Sequence, residues 1–280
     1  MTGGTKDSSP GEAALREVEG KTSSDAHASE TEHGGSTPCP SRCVNRDVST
    51  AMCWLRCCRC RCRRVSSHRI LAPMDETPVL SGGHVRLEPL DHHHADGLAA
   101  ASAGDSDLYR WSPVPKGKAE AIRYIETALV WRDEGTSVPF ATIRVDDGVV
   151  IGSTRFFHLE RWSWPPGHAR HGRSLPDACE IGYTWLSRAA IRTSANTEAK
   201  LLMLAHAFET WQALRVCFHA DARNHRSRAA LERVGGKFEG ILRSHRMAAD
   251  FIARDSARYS IVAAEWPELK NRLTQLIDRA

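Results

Sequence analysis

Residues 178–200 read ACEIGYTWLSRAAIRTSANTEAK, and the parsing of this stretch decides the fold. An apolar run over 181–186 stops at Ser187 and Arg188. A short polar loop follows, and Asn196-Thr197-Glu198 then opens a segment with apolar residues Leu201, Leu204, Ala205, Phe208 and Trp211. The pattern predicts strand, loop and amphipathic helix, with Asn196 or Thr197 as N-cap and Glu198 in the first turn. The first N–H groups of such a helix lie unpaired at its positive dipole end and hold phosphate without a metal. An ordinary βα unit with a capped helix shows the same local pattern, so the anion site needs support from the rest of the chain.

Upstream, HVRLEPL from His84 alternates Val85 and Leu87 with Arg86 and Glu88 and predicts a half-buried strand. DHHHADGLAAAS reads as a short helix, and the consecutive His92, His93 and His94 share no helix face, so alone they make no metal site. KAEAIRYIETALVWRDEG predicts an amphipathic helix with Ile122, Ile125, Leu129 and Val130 inward, closed by Gly135. VPFATIRV and VVIGSTRFFHL predict strands joined at Asp146-Asp147-Gly148, a hairpin signal. The connection 161–177, RWSWPPGHARHGRSLPD, is long and aperiodic, as functional or mobile loops are. Its Trp162 and Trp164 either line a substrate entrance or pin the loop to the body.

Downstream, RVCFHA from Arg215 predicts a strand, and DARNHRSRAALERVGG predicts a helix capped by Asn224 and ended by Gly235 and Gly236. KFEGILRSHRM and ARYSIVAA predict two final strands, followed by a polar, helix-leaning tail. The order β-α-α-β-β-β-α-β-α-β-β predicts a mixed α/β domain of about 190 residues around one sheet.

At 280 residues the chain can bury a full core, and its net charge of +4 demands neither nucleic acid nor a membrane surface. No apolar run approaches the roughly 18 residues of a membrane span. The start, MTGGTKDSSPGEAAL, lacks the apolar core of a secretory signal. The expectation is a cytoplasmic protein with reduced cysteines. Residues 1–73 differ in composition from the rest. They are Ser-, Thr-, Gly- and Glu-rich to about residue 50, an expected disordered extension. AMCWLRCCRCRCRRVSSHR follows. Seven of the nine cysteines (Cys39, Cys43, Cys53, Cys57, Cys58, Cys60 and Cys62) precede residue 63, interleaved with Arg56, Arg59 and Arg61. Without paired C-x-x-C blocks they predict no metal, and an Arg-rich tether to an anionic surface is the competing reading of this segment. MDETPVLSGGHVRLEPL reads as a clean domain entry, so a natural start at Met74 is a further reading.

This element order resembles the GNAT superfamily of acyl-CoA-dependent N-acetyltransferases, and within it the branch of the RimJ/RimL-type ribosomal-protein N-terminal acetyltransferases. The resemblance spans about residues 79–270, leaving 271–280 as a helical tail. Glu180-Ile181-Gly182-Tyr183, Asn196-Thr197-Glu198-Ala199-Lys200, Asp221-Ala222-Arg223-Asn224 with Ser227, and Phe238-Glu239-Gly240 with Arg243 carry it, in that order. It implies a GNAT-like fold: a single central, mostly antiparallel twisted sheet with splayed central strands and helices on both faces. It implies acetyl-CoA as co-substrate and no metal. The pantetheine arm would lie between Tyr183, Thr184, Trp185 and Leu186 on one strand and residues 215–220 on the other. The pyrophosphate would rest on backbone N–H groups of Thr193, Ser194, Ala195, Asn196 and Thr197, with Arg192 adding a charged contact. An N–H within 183–185 would hold the thioester oxygen, Asn224 would touch the arm, and Ser227 would sit near the sulfur. The family's phosphate loop usually carries glycines, and residues 192–196 have none. Its common tyrosine acid, seven residues after the helix-opening Asn, is Leu231 here, which leaves Ser227 to protonate the departing thiolate.

Amide formation from a thioester needs a deprotonated amine, a polarised carbonyl and a proton for the thiolate. Glu180, at the start of the central strand, is the first candidate base, and an ion pair with a nearby arginine is its competing role. His158 and His245 are alternative bases, and Tyr259 on the last strand is a candidate second acid. Cys179 and Cys217 read as core residues, since direct transfer needs no covalent thiol. The expected acceptor is a primary amine, either a protein N-terminus or a small molecule, and a homodimer is among the expected associations. A GNAT-like domain that binds acyl-CoA as a sensor or scaffold, without turnover, is the competing function.

Overall fold

The computed structural model describes residues 77–104, 107–248 and 251–279. The chain divides into two units, 1–64 and 65–280, and the described residues belong to the second. The readings of residues 1–73 as disordered, metal-free or tethering, and of Met74 as a start, lie outside the described residues.

Eight strands form one sheet: β1 (Leu80–Ser81), β2 (Val85–Pro89), β3 (Ser137–Arg144), β4 (Val150–Glu160), β5 (Ala178–Leu186), β6 (Arg215–Asp221), β7 (Lys237–Met247) and β8 (Ala253–Val262). Their order across the sheet is β1-β2-β3-β4-β5-β6-β8-β7. Every neighbouring pair is antiparallel except β5–β6. The helices are α1 (Ala95–Ala101), α2 (Gly117–Asp133), α3 (Ala195–Ala205), α4 (His225–Arg233) and α5 (Trp266–Asp278). This is the expected GNAT-like order, with the short β1 added. α5 runs through residue 270 and buries Trp266, Leu269 and Leu273.

Strand alternation divides the side chains between two faces. Val216, Phe218 and Ala220 of β6 stand beside Ile261, Tyr259 and Ala257 of β8, and all join one core with Leu204, Leu231 and Leu269 from α3, α4 and α5. On the other face α1 and α2 cover Ala141, Ile143 and Trp185. The inward stripe of α2 is Ala121, Ile125 and Ala128, whereas Val130 is 54% exposed. Five residues beyond Ile125, Val130 has turned off the buried stripe. The loop 161–177 is pinned rather than open. Asp177 accepts from the Trp162 backbone, from Trp164 Nε1 and from Arg170, while Arg173 donates to the Trp211 carbonyl.

Two charged residues of α3 point into the protein. The Glu198 carboxylate accepts from the backbone N–H groups of Gly83, His84 and Val85 at 2.8, 2.7 and 2.6 Å, so one side chain closes the turn between β1 and β2. A Cβ on Gly82 would meet that carboxyl carbon at 2.4 Å, which explains a glycine there. Lys200 is buried, donates to Thr184 Oγ1 on β5 at 2.7 Å, and pairs with no carboxylate among the described residues. Burial lowers its amine to about 7.

Two expectations follow from these groups. Glu198→Ala strands three N–H donors, and it is expected to destabilise the domain by on the order of 3 kcal/mol in urea unfolding. Lys200→Met removes a buried amine and leaves Thr184 bonded to Thr154 at 2.8 Å. Below pH 7 folded and unfolded chains both carry the lysine proton, and the folded state bears the full cost of burying the charge. Between about pH 7 and pH 10.5 only the unfolded chain does, so the cost fades as pH rises. The variant should therefore be more stable than the parent by about 1–3 kcal/mol at pH 6, with the difference shrinking toward pH 10. A difference independent of pH would contradict this account.

Candidate active site

Strands β5 and β6 pair over only three positions, Ala178↔Arg215, Cys179↔Val216 and Glu180↔Cys217. Both continue beyond them, so a gap opens between two strands whose outer edges stay in the sheet. β6 keeps its ladder with β8 as far as Asp221↔Ser256, and β5 keeps its ladder with β4 as far as Leu186↔Gly152. The β4–β5 register shifts between Gly182 and Trp185, where Tyr183 adopts a φ of 51°. This bulge turns the backbone of residues 183–184 out of the regular ladder, at the place expected to hold the thioester oxygen. Gly152 permits it, since a Cβ there would lie 2.0 Å from the Trp185 carbonyl oxygen.

The loop from β5 to α3 leads away from this gap. α3 starts at Ala195, earlier than the Asn196 or Thr197 cap expected, and Ser194 occupies the cap position without a side-chain bond. Thr193 is the reason: its hydroxyl donates to the Ala190 carbonyl at 2.7 Å and accepts from the Ala195 N–H at 3.2 Å. Arg192 takes a left-handed conformation, with φ 61°, that glycine adopts more readily. Of the expected phosphate donors, Ala195 already serves Thr193, and Asn196 and Thr197 keep first-turn N–H groups. Across the gap, Asn224 caps α4 as expected, accepting from the Ser227 N–H at 3.1 Å. The segment between α1 and α2 touches both sides: Tyr109 donates to the Leu186 carbonyl at 3.1 Å, and Arg226 donates to the Leu108 carbonyl at 2.6 Å.

At the last paired position, on the face away from α3, lies Glu180, buried and surrounded by donors. Arg246 Nη2 sits 2.9 Å from Oε2, His158 Nδ1 3.1 Å from Oε2, and His219 Nδ1 2.8 Å from Oε1. Burial by itself would raise this carboxyl, but the bonds from His158 and His219 and the charge of Arg246 outweigh it and bring it to about 2. Two further irregularities aim these partners. His158 has φ 48° within a β4 bulge, and Ser244 has φ 45° within a β7 bulge beside His245 and Arg246. A cleft of about 180 Å³ opens here, lined by His158, Glu180, His219, His245, Arg246 and Arg258 among others.

The structure brings the candidate bases Glu180, His158 and His245 to one cleft and adds Arg246. The sequence reading missed His219, two residues after Cys217 on β6 and therefore on the same face as Cys217 and Glu180. Strand alternation holds that signal only once the pairing of Glu180 with Cys217 is known. Tyr259 requires correction as a second acid. It stands on the opposite face, fully buried, with its hydroxyl accepting from Arg228 Nε at 3.0 Å and donating to Glu232 at 2.9 Å. Cys179 and Cys217 are buried free thiols, and burial pushes the Cys179 thiol up. Glu88, His93 and His94 bring ligand atoms within 4.8 Å of one another, but both His94 ring nitrogens are already engaged, with Asp91 and Glu88.

The chain matches the sequence pattern of the acetyltransferase (GNAT) domain over residues 84–237, more than half its length. No curated protein sequence matches it. Among solved structures it is similar to a GCN5-related N-acetyltransferase from Brucella melitensis, at 29% identity and TM-score 0.62, over 73% of this chain and 87% of that one. It is likewise similar to a protein from T. thermophilus assigned as an acetyltransferase, at 33% identity and TM-score 0.58, over 71% and 96%. The fold also matches Mycobacterium smegmatis RimJ, solved in complex with CoA-disulfide, at 22% identity and TM-score 0.58, over 71% and 91%. With these matches, the split between β5 and β6 and the bulge beside it have a family context: the chain belongs to the GNAT acetyltransferases.

Proposed function

We propose that the protein transfers an acetyl group from acetyl-CoA to a primary amine by direct attack in a ternary complex. The observation that carries this reading is the gap between β5 and β6 with a buried ionic cluster at its foot. Acetyl-CoA supplies the electrophile, an acyl thioester. Tyr183, Thr184, Trp185 and Leu186 on β5 line one wall for its arm, and Asn224 lies on the other side. Arg192 and the first-turn N–H groups of Asn196 and Thr197 hold the phosphates. An N–H at the Tyr183 bulge steadies the thioester oxygen as it gains charge. Ser227 sits in the first turn of α4, and its hydroxyl has no bond to the protein among the described residues, so it is available to protonate the departing sulfur.

The acceptor enters from the face that carries Glu180. The cleft is small, which suits the reacting end of an amine such as a peptide N-terminus, an amino acid or a polyamine. Incubation with acetyl-CoA and a panel of such amines should release free thiol with at least one of them. Binding of CoA without thiol release across the panel would favour the sensor reading, which the glycine-free loop and the Ala195 N–H taken by Thr193 support. Ser227→Ala should lower kcat about 10- to 100-fold with little change in the acetyl-CoA Kd. An unchanged kcat would remove Ser227 from the mechanism.

A further inference from the structure

A group that takes a proton from an ammonium works best when its own pKa lies near the working pH. Glu180, at about 2 and held by Arg246, is too weak a base for that task. Three histidines stand around it, and they are not equivalent. His158 has a side chain 61% exposed, whereas that of His219 is only 7% exposed. His245 stacks near His219, with ring centroids 4.8 Å apart, but its contacts do not include the Glu180 carboxylate. His219 alone combines a largely buried ring, an Nδ1 that lies 2.8 Å from Glu180 Oε1 without the alignment of a hydrogen bond, and a second buried nitrogen, Nε2, with no partner among the described residues. It lines the cleft, and it lies on the part of β6 that has already diverged from β5.

We infer that His219 is the group that deprotonates the acceptor amine, through Nε2, and that Glu180 is a positioning residue whose carboxylate, 2.8 Å from Nδ1, favours the proton on that nitrogen. This rests on the acetyl-transfer reading above. The acceptor ammonium gives one proton to Nε2 and becomes a free amine. Its nitrogen bonds to the acyl carbon, the carbon–sulfur bond breaks, and the second proton lost by nitrogen ends on sulfur as the thiol. His219 then returns the first proton to solvent. An orphaned imidazole nitrogen in a largely buried setting has a use only when a ligand meets it, which is why the open Nε2 points to a polar substrate group. The charged and titratable groups facing the ring are Glu180 from β5, His158 from β4, His245 and Arg246 from β7, and Arg258 from β8, which pairs with Glu239.

The test has two arms. In the first, kcat/KM for the best amine is followed against pH. His219→Gln should lower kcat by about 100-fold or more and remove the acidic limb, with the acetyl-CoA Kd unchanged, while His158→Gln should retain the limb whatever its effect on the rate. In the second arm, nitrogen-15 NMR of the histidine rings, without acetyl-CoA, reads which nitrogen of neutral His219 carries the proton, its signal being assigned by loss in His219→Gln. The expected tautomer is Nδ1–H, and Glu180→Gln should disturb it. A His219→Gln enzyme with the parental kcat and acidic limb, or a neutral ring protonated on Nε2, overturns the inference. A parent protein that releases no thiol with any amine overturns the acetyl-transfer reading and this role with it, whichever tautomer the ring shows.

Discussion

Two neighbouring parallel strands that stop pairing after three residues set the constraint on which the rest of this structure depends. Half of the backbone groups of each diverging strand face the gap, and a buried strand cannot leave them without partners at no cost. The sheet tolerates the split because each strand is held on its other edge, β6 by a continuous ladder with β8 and β5 by β4 on either side of the Tyr183 bulge. The gap is therefore stiff. An extended ligand with amide groups along it, as a pantetheine arm has, would match such edges.

The local strain is concentrated around the same gap. Among the described residues, six that are not glycine take positive φ, and four of them, His158, Tyr183, Arg192 and Ser244, lie beside the gap, its loop or its cluster. Each costs on the order of 1–3 kcal/mol unless its surroundings require it. Here the bulges at His158 and Ser244 turn donors from β4 and β7 toward one carboxylate on β5. The bulge at Tyr183 frees backbone from the ladder. Strain of this kind is sustained by the anchored regions, such as the three N–H groups closed by Glu198 and the Tyr259 hydroxyl fixed between Arg228 and Glu232.

Residues whose role follows from local periodicity were legible in the sequence. The strand from Ala178, the caps around Asn224 and the hairpin at Asp147-Gly148 depend on nearest neighbours along the chain, and the structure repeats them. Glu180 was legible because it begins a strand that the family resemblance marks. What resisted reading depends on register between distant segments. His219 meets Glu180 only because Cys217 is its partner across the sheet, and Arg246 arrives through a bulge in β7 that leaves no periodic trace. The place of Tyr259 also turns on register: its pairing with Phe218 sets it in the core, on the face away from Glu180. The early start of α3 turned on one hydroxyl, that of Thr193, competing with the Asn196 and Thr197 side chains as a cap.

These registers explain why the carboxylate and the basic function separate. Glu180 occupies the last position at which β5 and β6 are still joined, so its backbone is fixed on both sides and its carboxylate is neutralised by groups from three other strands. Such an environment favours the ionised form so strongly that it leaves little affinity for a proton. His219 is held from one side only, by β8, and it faces the space the strands leave as they part. A site built at a fork between strands thus has a charged anchor at the closed end. Its histidine sits one step into the open part.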